Sequence, residues 1–186
     1  MIISFTGPQC SGKTTCLTHI NNFSPVFFDT QPEPYFPKEI LDPDNDNIEF
    51  VQALILNHHI EVLLKYDAFP RCVNLAMDRC IVDAYVYTDY IAKTKGLPEQ
   101  LLRYSSYLLS KLITKYDIIF YCKSDGIPLV DNGVRSTNEQ FRDDITKSFD
   151  LFFSKPINSQ TKIVTLEGSF EQRMEVVKQT LTNYAK

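Results

Sequence analysis

The residues with the most chemical content stand almost at the start of the chain, in FTGPQCSGKTTC, Phe5 to Cys16. Gly7 and Gly12 are separated by four residues and followed by Lys13 and Thr14, which fits G-x-x-x-x-G-K-[ST]. The glycines permit a turn in which the backbone N–H groups of Gln9, Cys10, Ser11, Gly12, Lys13 and Thr14 point at phosphate oxygens, with Thr15 completing the set. The positive N-terminus of the helix that follows adds to the pull on an anion. Lys13 is then a point charge for the β/γ-phosphates, and Thr14 offers its hydroxyl to Mg²⁺. Such a loop holds a nucleotide, and the open question is whether the phosphate is hydrolysed or passed to an acceptor.

Two acidic stretches bear on that question. LAMDRC places Asp78 and Arg79 where an apolar run ends, so the carboxylate can orient Mg²⁺ and the guanidinium can neutralise a transferring or accepting phosphate. FDTQPEPYFP carries Asp29 and Glu33, and a carboxylate there can take the proton of a hydroxyl attacking the γ-phosphate. Glu33 is the first candidate for that base and Asp29 the second; a solvated loop acid is the plain alternative. Tyr35 and Phe36 can stack on a ring or pack at the core edge. Farther on, Arg135 and Arg142 stand seven residues apart in VDNGVRSTNEQFRDDI, two helical turns if the helix reaches back that far. Ser136 or Thr137 can cap the helix there, and Arg142 is expected to be structural, paired with Asp143 or Asp144.

Alternating strands and helices are needed to position these groups. Apolar runs predict strands at Ile2–Thr6, Val26–Asp29, Val73–Met77, Ile118–Cys122 and Ile163–Leu166. Helical spacing predicts helices at about Lys13–Asn21, Ile48–Tyr66, Ala84–Lys95, Pro98–Lys115, Asn138–Phe153 and Phe170–Tyr184. Five prolines between Pro25 and Pro43 mark an irregular segment. Strands separated by helices imply right-handed crossovers and a five-stranded parallel sheet with helices on both faces, ligands binding beyond the carboxyl ends of the strands. The helix bearing His58 and His59 is expected to wall the acceptor pocket; adjacent histidines diverge by about 100° and are assigned no chemistry. Arg71 and Arg103 are candidates for an acceptor phosphate but read more simply as surface charges.

The phosphate loop followed by Asp78-Arg79, with MDRCIVDAYVYTDYI running into an aromatic-rich helix, resembles the thymidylate kinase and deoxynucleoside kinase families. Glu33-Pro34 resembles the Glu-Pro pair of both. The lid block also resembles AAA-labelled P-loop proteins related to ribosylnicotinamide kinases. The resemblance implies a P-loop NTPase fold with a helical lid over about 123–150. It also implies ATP and Mg²⁺ as cofactors, catalytic roles for Lys13, Glu33, Asp78, Arg79 and Arg135, and backbone contact with adenine near Gly168. Cys80 stands where those families often carry serine or tyrosine. Other classes fit less well. TKYD, Thr114 to Asp117, has the letters of a guanine-recognition motif but precedes a predicted strand instead of following one, and the chain is short for a full AAA+ module with a separate helical lid domain.

At 186 residues, with 44% hydrophobic and 23% charged residues, the chain is expected to form one domain. A net charge of -4 gives no global attraction to nucleic acid or an anionic membrane, though a local basic patch would suffice for DNA. No apolar run is long enough to span a bilayer and no signal-peptide pattern is present, so a cytoplasmic location is expected. Five cysteines without a C-x-x-C pair read as reduced thiols, and alkylation of Cys10 inside the loop would block binding sterically. Three functions stay open: a kinase of a nucleoside or nucleoside monophosphate, a kinase of a modified base in DNA such as hydroxymethyluracil, and a nucleotide-binding regulator that phosphorylates nothing. The resembling families make a homodimer a candidate assembly.

Overall fold

The computed structural model describes residues 1–34, 38–41, 45–68, 73–128, 138–157 and 160–184. In chain order the elements are β1 (Ile2–Thr6), α1 (Lys13–Phe23), β2 (Asp29–Gln31), α2 (Lys38–Leu41), α3 (Ile48–Asp67), β3 (Leu75–Asp78), α4 (Ile81–Lys95) and α5 (Glu99–Leu112). A short 3₁₀ turn, Ile113–Lys115, precedes β4 (Ile118–Cys122), and α6 (Glu139–Phe153), β5 (Lys162–Leu166) and α7 (Phe170–Tyr184) complete the described chain. All five strands are parallel, in the order β2-β3-β1-β4-β5.

Period-two alternation sends the side chains of β1, β3, β4 and β5 to two separate cores. Ile3, Phe5, Ala76, Ile118 and Phe120 pack against Leu17 and Ile20 of α1 and Met174, Val177 and Leu181 of α7. Leu75, Met77, Ile119 and Tyr121 face the other way, onto Leu56 of α3, Val82 of α4 and Phe149 of α6. The Phe5 and Phe120 rings stack at 5.3 Å between the two central strands, fixing the register that sets β1 beside β4. Because every strand points the same way, the loops after β1, β3, β4 and β5 gather along one edge of the sheet.

Two local expectations differ. The second strand lies at Asp29–Gln31, not Val26–Asp29. The Asn21 side chain takes both backbone groups of Phe28, at 2.9 and 2.8 Å, so that residue has no strand partner to seek. Phe28 is buried as a plug while Phe27 is exposed, and pairing starts only at Asp29 N–H to Asn74 C=O. The cap of α6 is Asn138, whose side chain accepts from the Phe141 N–H at 3.0 Å; it preempts Ser136 and Thr137, which lie outside the described residues.

Candidate functional site

The phosphate loop spans from the end of β1 to the start of α1. Its turn uses positive φ at Gly7 (140°), Cys10 (54°) and Gly12 (83°). At Gly7 the need is also steric: a Cβ there would stand 2.4 Å from the Cys122 carbonyl oxygen. Lys13 is almost wholly buried, and its ammonium donates to the Gly7 and Pro8 carbonyls at 2.9 and 2.6 Å and to Ser11 Oγ at 3.3 Å. The cation is thus held at the mouth of the amide-lined turn. Gln9 is anchored by the Tyr87 hydroxyl at 3.0 Å.

β3 delivers Asp78 beside this loop. The Thr14 hydroxyl donates to Asp78 Oδ2 at 2.5 Å, while Oδ1 is buried without a hydrogen-bond partner among the described residues. A hydroxyl and a carboxylate with an unused oxygen form a hard-donor set suited to Mg²⁺, which ordinarily completes its shell with water and phosphate. The donors present therefore fit the ion.

Arg79 follows at φ 70°, a left-handed conformation uncommon outside glycine, with its N–H bonded to the Phe5 carbonyl at 2.9 Å. This turn sends the side chain back across the strand ends. Its guanidinium pairs with Glu33, lies 3.3 Å from Asp83 Oδ1, and sits 5.4 Å over the Tyr87 ring. Glu33 and Arg79, far apart in sequence, are thus brought together, with Asp78 and Thr14 immediately beside them. Asp29 is instead near the Tyr66 hydroxyl, at 3.3 Å, away from this cluster.

Two further residues bind the pieces together. Asp83 is buried and accepts from Thr6 Oγ1 (2.6 Å), the Gly7 N–H (3.3 Å) and the Cys80 N–H (2.9 Å), besides Arg79. Burial pushes its pKa up, opposed by the Arg79 and Lys13 charges. Its signal in the sequence is a capping position three residues after Cys80, the N-cap of α4. Arg173, from α7, is equally buried and donates to the Ser11 (2.7 Å), Lys123 (2.8 Å) and Gly168 (3.0 Å) carbonyls. One guanidinium thus ties the phosphate loop to the loops after β4 and β5. Gly168, at φ 81°, turns the chain into α7, where Gln172 accepts from the Ser169 N–H.

Other residues fall elsewhere. Arg135 and Arg71 lie outside the described residues. Arg103 makes an exposed ion pair with Glu99. Arg142 is structural as expected, but through the Ser124 and Ile127 carbonyls in the turn after β4, at 3.2 and 2.6 Å. Asp117 of TKYD accepts from the Ile2 N–H at 2.6 Å, at the opposite end of the sheet from the phosphate loop. Cys10, Cys16, Cys80 and Cys122 are free thiols; burial pushes the Cys80 and Cys122 pKa up, and a Cys122 hydrogen bond lowers that of Cys16. No described helix is long and apolar enough to cross a membrane.

Among functionally curated proteins, none matches the sequence. A deoxyadenosine kinase from M. mycoides, solved with dCMP and a flexible dCDP, superimposes with TM-score 0.72 at 16% identity, covering 98% of this chain and 100% of that one. The same enzyme with dATP gives 0.69 at 16% identity, over the same shares of both chains. Thymidylate kinase from Candida albicans gives 0.60 at 16% identity, over 98% of this chain and 89% of that one. The family model described as an AAA domain matches residues 2–173. The chain therefore belongs to the AAA-domain family, and its five-stranded parallel α/β fold is that of the P-loop nucleoside and nucleotide kinases.

Proposed function

We propose that the protein is an ATP-dependent phosphotransferase that moves the γ-phosphate to a (deoxy)nucleoside or a nucleoside monophosphate, in the cytoplasm, with residues 1–186 as one kinase domain. The observation that carries this reading is the joining of two half-sites at the β3 end. Asp78 is bonded to Thr14 of the phosphate loop, and the next residue, Arg79, is paired with Glu33 from the loop after β2. A regulator that only binds nucleotide has no use for the second half.

Each residue has a role. The loop amides and Lys13 hold the triphosphate tail, and Arg173 keeps Ser11 and Gly168 in register so the turn is preformed. Thr14 and Asp78 would hold Mg²⁺, which supplies charge neutralisation at the phosphate oxygens. Glu33 takes the proton of an acceptor hydroxyl as that oxygen attacks the γ-phosphorus and the bond to the ADP oxygen breaks. Arg79 then faces the charge on the equatorial oxygens. A monophosphate acceptor is already anionic and needs no base. The segment of about 123–150, with Arg135, is read as the lid.

The test is a screen of nucleosides, nucleoside monophosphates, nicotinamide riboside and hydroxymethyluracil-containing DNA with ATP and Mg²⁺, read by product mass. A phosphorylated nucleoside or nucleotide is the expected product. Phosphorylated DNA alone would replace the acceptor assignment, and bound ATP with no product from any acceptor would refute phosphotransfer.

A further inference from the structure

The helix after Asp78-Arg79 is rich in aromatic residues, and one of them touches both halves of the site. Asp83 and Tyr87 stand four residues apart on α4, neighbours on the same face. Asp83 Oδ1 lies 3.3 Å from the Arg79 guanidinium, whose carbon sits 5.4 Å over the Tyr87 ring. The hydroxyl at the tip of that ring donates to Gln9 Oε1 of the phosphate loop at 3.0 Å. One side chain thus spans from the loop that would cradle the donor's phosphates to the arginine that would meet the transferred group.

Both ends of this span are braced. Gln9 is buried, so the hydroxyl has a fixed partner. Phe141 and Phe149 of α6 stand against the ring at 6.2 and 6.1 Å between centroids, the second edge-on. Arg79 also pairs with Glu33, but a base that takes an acceptor's proton gives up its negative charge in doing so. That pair therefore weakens just as charge develops on the phosphate. The attraction of a cation to an aromatic face does not depend on that proton and persists through the step.

We propose that Tyr87 is a positioning residue for phosphoryl transfer: its ring face holds Arg79, and its hydroxyl ties that arginine to the phosphate loop through Gln9. The proposal rests on the kinase reading above and deepens it, with Tyr87 acting through Arg79.

Tyr87→Phe keeps the ring and removes the hydroxyl, whereas Tyr87→Leu removes both. Kinetics use ATP, Mg²⁺ and whichever of the four common deoxynucleosides or their monophosphates the wild type phosphorylates fastest. The kcat should fall about 3-fold in the Phe variant and roughly 10- to 30-fold in the Leu variant, with the KM for ATP within about 2-fold in both. A double-mutant cycle separates positioning from packing: in an Arg79→Ala background, Tyr87→Leu should cost less than about 2-fold. Phenylalanine carrying one, two or three ring fluorines at position 87 keeps the shape, and kcat should fall stepwise as the negative face of the ring is depleted. In the ligand-free protein, NMR should find the Arg79 side-chain protons shifted upfield by the ring in the wild type and the Phe variant, but not in the Leu variant.

A wild-type kcat in the Leu variant, an equal loss with and without Arg79, indifference to fluorination, or Arg79 resonances unmoved by the Leu substitution would each overturn the assignment and leave the kinase reading standing. If the Leu variant fails to fold or Arg79→Ala is too slow to assay, the fluorinated series decides. A wild type that phosphorylates none of these acceptors would overturn the transfer role together with the kinase reading, even with Arg79 resonances that place it on the ring.

Discussion

Burial of a neutral His59 couples folding to pH. Its ordinary pKa of 6.5 applies in the unfolded chain, whereas in the fold it lies at about 3. Between those values the unfolded state binds the extra proton, so stability is full above about pH 6.5 and is lost as pH falls. Near pH 5 the unfolded imidazole is almost fully protonated while the folded one is neutral, which costs about 1.36 kcal/mol for each of roughly 1.5 pH units, or about 2 kcal/mol. His58, itself lowered by burial, adds to the acid sensitivity of the whole protein. Comparing wild type with His59→Asn cancels that shared contribution. Urea unfolding of both proteins at about pH 7 and pH 5 measures the effect: the wild type should lose about 2 kcal/mol more than the variant on acidification. Equal losses would show that His59 is not held neutral in the fold.

Replacing Arg173 with Ala leaves the Ser11, Lys123 and Gly168 carbonyls without their donor; calorimetry and thermal melts should show stability down by about 3 kcal/mol and ATP affinity down by about 10-fold or more. Gly7→Ala forces a Cβ against the Cys122 carbonyl at an unfavourable φ, so urea unfolding should report a loss of about 2 kcal/mol or more. Thr14→Val removes the hydroxyl bonded to Asp78, and turnover with Mg²⁺ should fall about 100-fold while magnesium-free nucleotide affinity changes little. Peptide mapping after brief N-ethylmaleimide treatment should find Cys10, the most exposed of the four described thiols, modified ahead of the other three, with ATP protecting it and Cys10→Ser removing the inhibition.

Elements defined by sharp apolar contrast were legible from sequence: β1, β4 and α7 fall where the hydrophobic pattern put them. β2 was not, because VFFD owes its apolarity to a plug held by Asn21 and its pairing to the polar residues after it. The phosphate loop and the Asp78-Arg79 pair were readable because local spacing encodes them. Arg173 was not: its partner Ser11 is 162 positions away, and a lone arginine on a helix carries no local sign of three carbonyls awaiting it. Asp83 had a faint mark, obscured because the N-cap is Cys80 where Ser or Thr usually signals the start. The histidine pair was set aside because adjacent side chains diverge on a helix; burial of one ring without a partner among the described residues is a tertiary fact.

A single quenched reaction, in which ADP and phosphorylated acceptor are quantified together, tests most directly whether the two half-sites joined at β3 transfer phosphate. Wild type should yield the two products mole for mole, with both collapsing in Lys13→Ala. ADP and inorganic phosphate released at a rate indifferent to every nucleoside and nucleoside monophosphate would contradict the account.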